Sequence, residues 1–318
     1  MILELGSSDS SDPRDVTHTV SHMESFALPR DPLTGRPSLR QAEGSGSGRL
    51  IGNPRARELC PFCDSQIEQQ VDRIAAAAGL DHWMAASVRN KWPVLTEDQG
   101  RHEVLLPCLR HAERLWDLTD GEVARFLAFW HRRLEACAAG ERDLFPLMIM
   151  NQGEMAGCSQ PHLHSQLIGL PAEPDSWGPR RKRVRARDCV ICRGDGTTSP
   201  IITRQGEFTV WAPYHCRTGL IRIAPESHTS ALSAEQLREL GPLVRRVARA
   251  STTVMGTLDC SLMLFAWFRL DRAAAHWHLE LVPRKTAIAT VELSTGFSIS
   301  SIDASAYAAA VSRALTRG

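Results

Sequence analysis

Lysine is almost missing from this 318-residue sequence: Lys91, Lys182 and Lys285 are the only three among 37 basic side chains. The arginine excess reads as a genome composition bias without functional weight. Charge of one sign is missing too. The 37 basic residues face 36 acidic ones, for a formal net charge of +1, which gives no electrostatic basis for binding nucleic acid or an anionic membrane. No apolar run is long enough to cross a bilayer, and residues 1–25 are rich in Ser and Asp where a secretory leader would join a basic stretch to an apolar one. These absences predict a cytoplasmic chain with a flexible leader over residues 1–25. At 43% hydrophobic and 23% charged residues, the remainder has an ordinary globular composition, with length for two domains or one duplicated body.

Nine cysteines are present, an odd number, and four of them form two C-x-x-C pairs. Without a secretory leader this pattern favours metal ligation over disulfides. Each pair opens a passage written in the same order. The first begins at Cys60-Pro61-Phe62-Cys63, continues through a strand over 103–107 to His111, and then enters a helix. Thr119 and Glu122 form a capping box there, with Val123, Phe126, Leu127 and Trp130 at helical spacing on one face. A strand over 145–150 leads through a Gly/Ser turn into His162-Leu163-His164.

The second passage runs from Cys189-Val190-Ile191-Cys192 through a strand over 218–223 to His228. A helix capped by Ser233 and Gln236 follows, then a strand over 261–268, and the passage closes on His276-Trp277-His278-Leu279-Glu280. The Gly241-Pro242 step is expected to kink the second helix. The organisation predicted is a leader at 1–25, one half at 26–178, a basic linker at 179–188 and a second half at 189–318. The linker run Arg180-Arg181-Lys182-Arg183-Val184-Arg185 is expected to be solvated rather than a nucleic-acid patch.

Two thiolates from a C-x-x-C turn and two imidazoles complete a tetrahedral shell with no open position, as in structural zinc sites. The sets are Cys60, Cys63, His111 and His162, and Cys189, Cys192, His228 and His276. The other five cysteines are expected to be ordinary packed residues, although Cys158 lies inside the Gly/Ser turn. In a strand, His162, His164 and Gln166 would share one face. A bare H-x-H is compatible with two core histidines. The whole run 151–166 is more specific, because small residues let backbone N–H groups approach oxyanions and a neutral imidazole can attack phosphorus. With His162 committed to metal, His164 is left as the nucleophile.

These motifs resemble the galactose-1-phosphate uridylyltransferase family of the histidine-triad superfamily, nearest to its ADP-glucose phosphorylase-like branch. The resemblance covers about Arg30 to Arg313. It is carried by Arg30-Asp31-Pro32-Leu33-Thr34-Gly35-Arg36, by Val88-Arg89-Asn90-Lys91-Trp92-Pro93, by the 151–166 run, and by the strand that begins at His276. It implies an α+β fold: a duplicated histidine-triad-like unit of antiparallel sheets with packed helices and two structural zinc sites. It further implies transfer of a nucleoside monophosphate between an NDP-sugar and a sugar 1-phosphate through a nucleotidyl-His164 intermediate. Gln166 would hold the phosphoryl oxygens, Asn151, Gly157 and Ser159 would complete the phosphate cradle, and Asn90, Arg30 and Arg36 would lie near the nucleotide.

An amide at Gln166 can stabilise charge but cannot shuttle protons to water, which favours transfer over hydrolysis. Iron, present in some bacterial relatives, is not expected, because Phe268 stands where the extra histidine would be. Leu163 replaces the proline usual in galactose-specific members. The sugar-contacting C-terminal segment of those enzymes is not recognisable, and Val291-Glu292-Leu293-Ser294-Thr295-Gly296-Phe297 stands in its place. A homodimer is implied by resemblance alone. The alternatives are phosphorolysis of an NDP-sugar or dinucleoside polyphosphate by inorganic phosphate, and an inactive nucleotide-binding zinc scaffold.

Overall fold

The structure, a computed structural model, describes residues 33, 60–63, 70–75, 83–140, 142–195, 199–267 and 275–317. The leader, Arg30, Arg36 and Phe268 lie outside these residues. The first half supplies β1 (Gln70–Ala75), β2 (Trp83–Arg89), β3 (Arg101–Leu106), α1 (Asp120–Ala138), β4 (Phe145–Gln152), β5 (Ser165–Leu170) and α2 (Trp177–Arg183). The second supplies β6 (Ile201–Gln205), β7 (Phe208–Trp211), β8 (Ile221–Pro225), α3 (Ala234–Met255), β9 (Cys260–Phe265), β10 (His278–Pro283), α4 (Thr290–Thr295) and α5 (Ala304–Arg317).

All ten strands join one sheet in the order β1-β2-β3-β5-β4-β9-β10-β8-β7-β6. Read inward from either edge, the order is the same, 1-2-3-5-4 and 6-7-8-10-9, so the sequence repeat becomes a two-fold pattern about the β4–β9 seam. At that seam Met148 pairs with Leu264, Met150 with Leu262 and Asn151 with Ser261. Each half-sheet therefore has its free inner edge covered by the other, which removes an exposed apolar edge from both.

Both long helices start where their capping boxes place them. Thr119 accepts from Glu122 N, Ser233 accepts from Gln236 N, and in both the third helical residue reaches back to the cap. Val123, Phe126, Leu127 and Trp130 of α1 are buried with Leu237, Leu240, Val244 and Val247 of α3, over Met148, Met150, Leu262, Leu264, Leu279 and Leu281 of the central strands. Removing any one of the larger of these side chains would cost about 3–5 kcal/mol. The Gly241-Pro242 step does not end α3, which runs on to Met255. Its role lies in packing: a Cβ at Gly241 would come within 2.7 Å of the Ala124 backbone, so glycine allows the two helices to touch.

With both long helices on one face, the other face of the sheet is left for chemistry. Its floor is apolar, with Leu95, Ile168 and Leu170 on the first-half side and Trp177, Phe265 and Trp267 on the second-half side. The supposed linker helps to cover it. The basic run forms most of α2, and Trp177 at its start inserts beside Phe145, Phe265 and Trp267, with ring centroids 4.6–5.5 Å apart. Lys182, Arg183 and Arg185 of the basic run are exposed as expected, while Val184 is buried and Arg180 turns inward to a partner.

Candidate active site and metal centres

Two cysteine-histidine clusters assemble, one per half, with the side chains the spacing named. In Cys60, Cys63, His111 and His162, and again in Cys189, Cys192, His228 and His276, the ligand atoms all lie within 4.8 Å of one another. Sulfur-to-Nδ1 separations are 3.5 Å for Cys60–His162, 3.2 Å for Cys63–His111 and 3.4 Å for Cys63–His162. The second cluster gives 3.6 Å for Cys189–His276, 3.3 Å for Cys192–His228 and 3.4 Å for Cys192–His276. A tetrahedral ion with bonds of about 2.1–2.3 Å has sulfur-to-nitrogen edges of about 3.6 Å, so each donor set fits one metal ion. The remaining ring nitrogens agree. His162 Nε2 lies 3.3 Å from the Cys108 carbonyl and His276 Nε2 lies 2.9 Å from that of Pro225, so each donates its N–H there and leaves Nδ1 for a metal. Burial raises the pKa of Cys63 and of Cys192, and a bound cation is what would make thiolates of them at neutral pH.

His162 and His164 do not lie in the strand that carries Gln166, contrary to the expectation that all three share one strand face; the ladder begins at Ser165. His162 lies instead in the cysteine-histidine cluster, and Leu163 N donates to Ala112 O at 2.6 Å. Alternation nevertheless survives in extended chain. Leu163 enters the main core, while the His162 and His164 rings both lie beside Phe62, with centroids 5.8 and 5.6 Å away.

His164 is 3% exposed and donates Nδ1–H to the carbonyl of its neighbour His162 at 2.8 Å. That bond leaves Nε2 with its lone pair, and burial lowers the pKa of the imidazole so that it stays neutral. Two residues on, Gln166 Oε1 lies 2.8 Å from Nε2 of His102 on β3. Val94 N–H donates to the other nitrogen of that ring at 3.1 Å. Burial outweighs the Gln166 bond and brings His102 down to about 4. Asn90 Nδ2 sits 3.1 and 3.4 Å from the two ring nitrogens, its Oδ1 accepting from Trp92 N at 2.8 Å. Asn90 and Gln166 are thus joined through a histidine that the motifs did not single out. His102 occupies an ordinary alternating strand, and its partner lies 64 residues away.

The Gly/Ser turn is held from the second half. Gly153 has φ +85°, and a Cβ on it would run into the Asp259 carboxylate. That carboxylate accepts from Met155 N at 2.7 Å. Gln152 adds a second tie, accepting from Leu115 N at 2.8 Å and donating to Leu258 O at 2.5 Å. Gly157 is left-handed at φ +80° with open space where a Cβ would be. Ser159 is exposed and Asn151 half-buried at the end of β4. A cleft of about 220 Å³ follows the turn past Ser159, and one of about 740 Å³ opens beside Asn90 and His102. Arg89 and Arg101 line the larger cleft as ion pairs with Glu97 and Glu103, and Lys91 and Arg142 add positive charge to its wall.

At the matching place in the second half the chemistry is closed off. Pairings Gln166↔Ile149, Ile149↔Met263 and Met263↔Glu280 put Gln166 and Glu280 in one row across the sheet. His278 Nδ1 lies 3.4 Å from the His276 carbonyl, as His164 lies beside His162. Its Nε2, however, accepts from Arg180 Nη1 at 3.0 Å. Arg180 also binds Glu280 Oε1 at 2.7 Å and lies 3.8 Å above the Phe265 ring, and Arg222 binds the same oxygen at 3.0 Å.

Comparison with known proteins agrees with this architecture, although no family model matches the chain. The sequence is 21% identical over 311 residues to the ADP-glucose phosphorylase of Arabidopsis thaliana, covering 86% of this chain and 88% of that protein. The crystal structure of an ADP-glucose phosphorylase from Arabidopsis thaliana with bound ADP-glucose superposes with a TM-score of 0.71 at 22% identity, over 80% of this chain and 88% of that one. A uridylyltransferase mutant gives 0.71 at 21% identity, over 91% and 97%. The fold is theirs: α+β, with one large antiparallel sheet and packed helices. The family that the motifs resemble is the one these comparisons return.

Proposed function

We propose that the chain is a nucleotidyltransferase that moves a nucleoside monophosphate from an NDP-sugar to a phosphate acceptor through His164. The observation that carries this is the Nδ1–H bond from His164 to the His162 carbonyl, which presents Nε2 as a neutral nucleophile with Gln166 close by. In the first step Nε2 bonds to the α-phosphorus and the bond to the bridging oxygen breaks. Sugar 1-phosphate departs with those electrons. The imidazolium formed keeps its Nδ1 proton, steadied by the carbonyl, so no general base is required. In the second step an acceptor phosphate oxygen attacks the same phosphorus and His164 leaves as the neutral ring. Gln166 and the turn bearing Asn151, Gly157 and Ser159 would bind the phosphoryl oxygens, with Asn90 toward the nucleotide and with Arg30 and Arg36 completing that end. Zinc suits both clusters, since two thiolates and two imidazoles close a tetrahedron; it would hold His162, and thereby the chain before His164, in place.

Sugar 1-phosphate is the acceptor in the leading reading. Similarity to ADP-glucose phosphorylase supports inorganic phosphate as the second. Incubation with UDP-, GDP-, ADP- and TDP-sugars followed by intact mass spectrometry should show one acid-labile nucleotidyl adduct on His164. Discharge of that adduct by sugar 1-phosphate or by phosphate then separates the two acceptors. A chain that forms no adduct with any donor would instead be a scaffold.

A further inference from the structure

We infer that His102 is a positioning residue that fixes which end of the Gln166 amide faces the phosphoryl group. This rests on the proposed nucleotidyl transfer for its consequence, though not for its geometry. An amide side chain has two ends of nearly equal shape and opposite hydrogen-bonding character. Only the NH2 end can stabilise a phosphoryl oxygen, so Gln166 is useful in one orientation and harmful in the other.

The choice is made by a chain of directional bonds. Val94 N–H is a main-chain donor and nothing else, so the His102 Nδ1 it meets at 3.1 Å must be the lone-pair nitrogen. The ring proton therefore sits on Nε2. That N–H points at Gln166 from 2.8 Å and requires an acceptor there, which only Oε1 provides. The NH2 end of Gln166 is left as the donor for substrate. Asn90 Nδ2 lies 3.1 Å from Nε2 and 3.4 Å from Nδ1, and in the tautomer that Val94 selects only Nδ1 can accept from it.

The ring is firmly mounted. Asn90 N–H donates to the His102 carbonyl at 2.9 Å. On the opposite face of β3 the neighbouring Glu103 is buried, with Arg133 Nε and Nη2 of α1 both at 2.9 Å and the Ser87 hydroxyl at 2.6 Å. The second half has no equivalent need, because a carboxylate such as Glu280 has two alike oxygens and no wrong end.

The test uses the full-length, zinc-loaded protein. Nitrogen-15 NMR of the histidine rings in the wild type should show His102 as the Nε2–H tautomer, with that proton displaced in Gln166→Ala; an Nδ1–H tautomer, or no response to Gln166→Ala, overturns the inference. Single-turnover nucleotidylation followed by intact mass should be about 10- to 100-fold slower in His102→Ala. The same change should cost almost nothing in a Gln166→Ala background, and zinc content should stay at the wild-type level. Independent, multiplying effects of the two substitutions overturn it. A wild type that forms no adduct refutes the nucleotidyl transfer, and the NMR arm still decides the His102–Gln166 bond.

Discussion

The two halves share a strand order, a capped helix, a cysteine-histidine cluster and an H-x-H, and they differ in the residue two positions after the second histidine. In the first half an amide, Gln166, stands beside a histidine whose Nε2 is unengaged by its neighbours in the hydrogen-bond pattern described above. In the second half a carboxylate, Glu280, has drawn in Arg180 and Arg222, and Arg180 occupies His278 Nε2. The carboxylate of Glu280 thus brings a guanidinium onto His278 Nε2, whereas the amide of Gln166 binds the His102 ring.

The sharpest way to break the comparison is to remove each nucleophile position in turn. His164→Ala should lower transfer by about 10³-fold or more, with the fold retained by circular dichroism. His278→Ala should leave adduct formation on His164 intact while costing about 1–3 kcal/mol of stability in denaturant titration. Metal ligands should behave alike in the two halves. His162→Ala and His276→Ala should each reduce bound zinc from two ions to one by elemental analysis and destabilise by about 3 kcal/mol or more, but His162→Ala should also disable the adjoining His164.

Making the first half resemble the second sharpens the contrast. Gln166→Glu places a negative charge against phosphoryl oxygens and removes the acceptor-donor distinction, and should slow nucleotidylation about 10²-fold in single-turnover assays. The smallest expected effect concerns acid. Burial alone would raise the Glu280 pKa, but Arg180, His278 and Arg222 together hold it below the ordinary 4.5. A depressed carboxylate contributes stability that is present above 4.5 and disappears as pH falls through its folded value. The gap in melting temperature between wild type and Glu280→Gln should therefore be widest near neutrality and close below pH 4.5.

Local signals in the sequence carried far. Thr119 with Glu122 and Ser233 with Gln236 marked both helix starts, because a capping box is complete within four residues. The two C-x-x-C turns and their histidines could be matched because the repeat supplied each with a template. What escaped had its cause at long range. The basic run at Arg180 had no local reason to fold inward; its partners Phe265, His278 and Glu280 lie some 85–100 residues downstream. His102 and Asp259 are single polar residues at ordinary positions, made important by a glutamine and a glycine-rich turn elsewhere in the chain. The Gly241-Pro242 step suggested a kink, and the close approach of α1 gives the glycine a packing role that its own helix did not announce.

Asp259 ties the second half to a loop of the first. Its carboxylate fills the space a side chain at Gly153 would need and grips Met155, so the turn ahead of His164 is shaped by a residue from the other copy. The second half is thus the mould in which the loop before His164 is cast, and removing the Asp259 carboxylate would deform that loop.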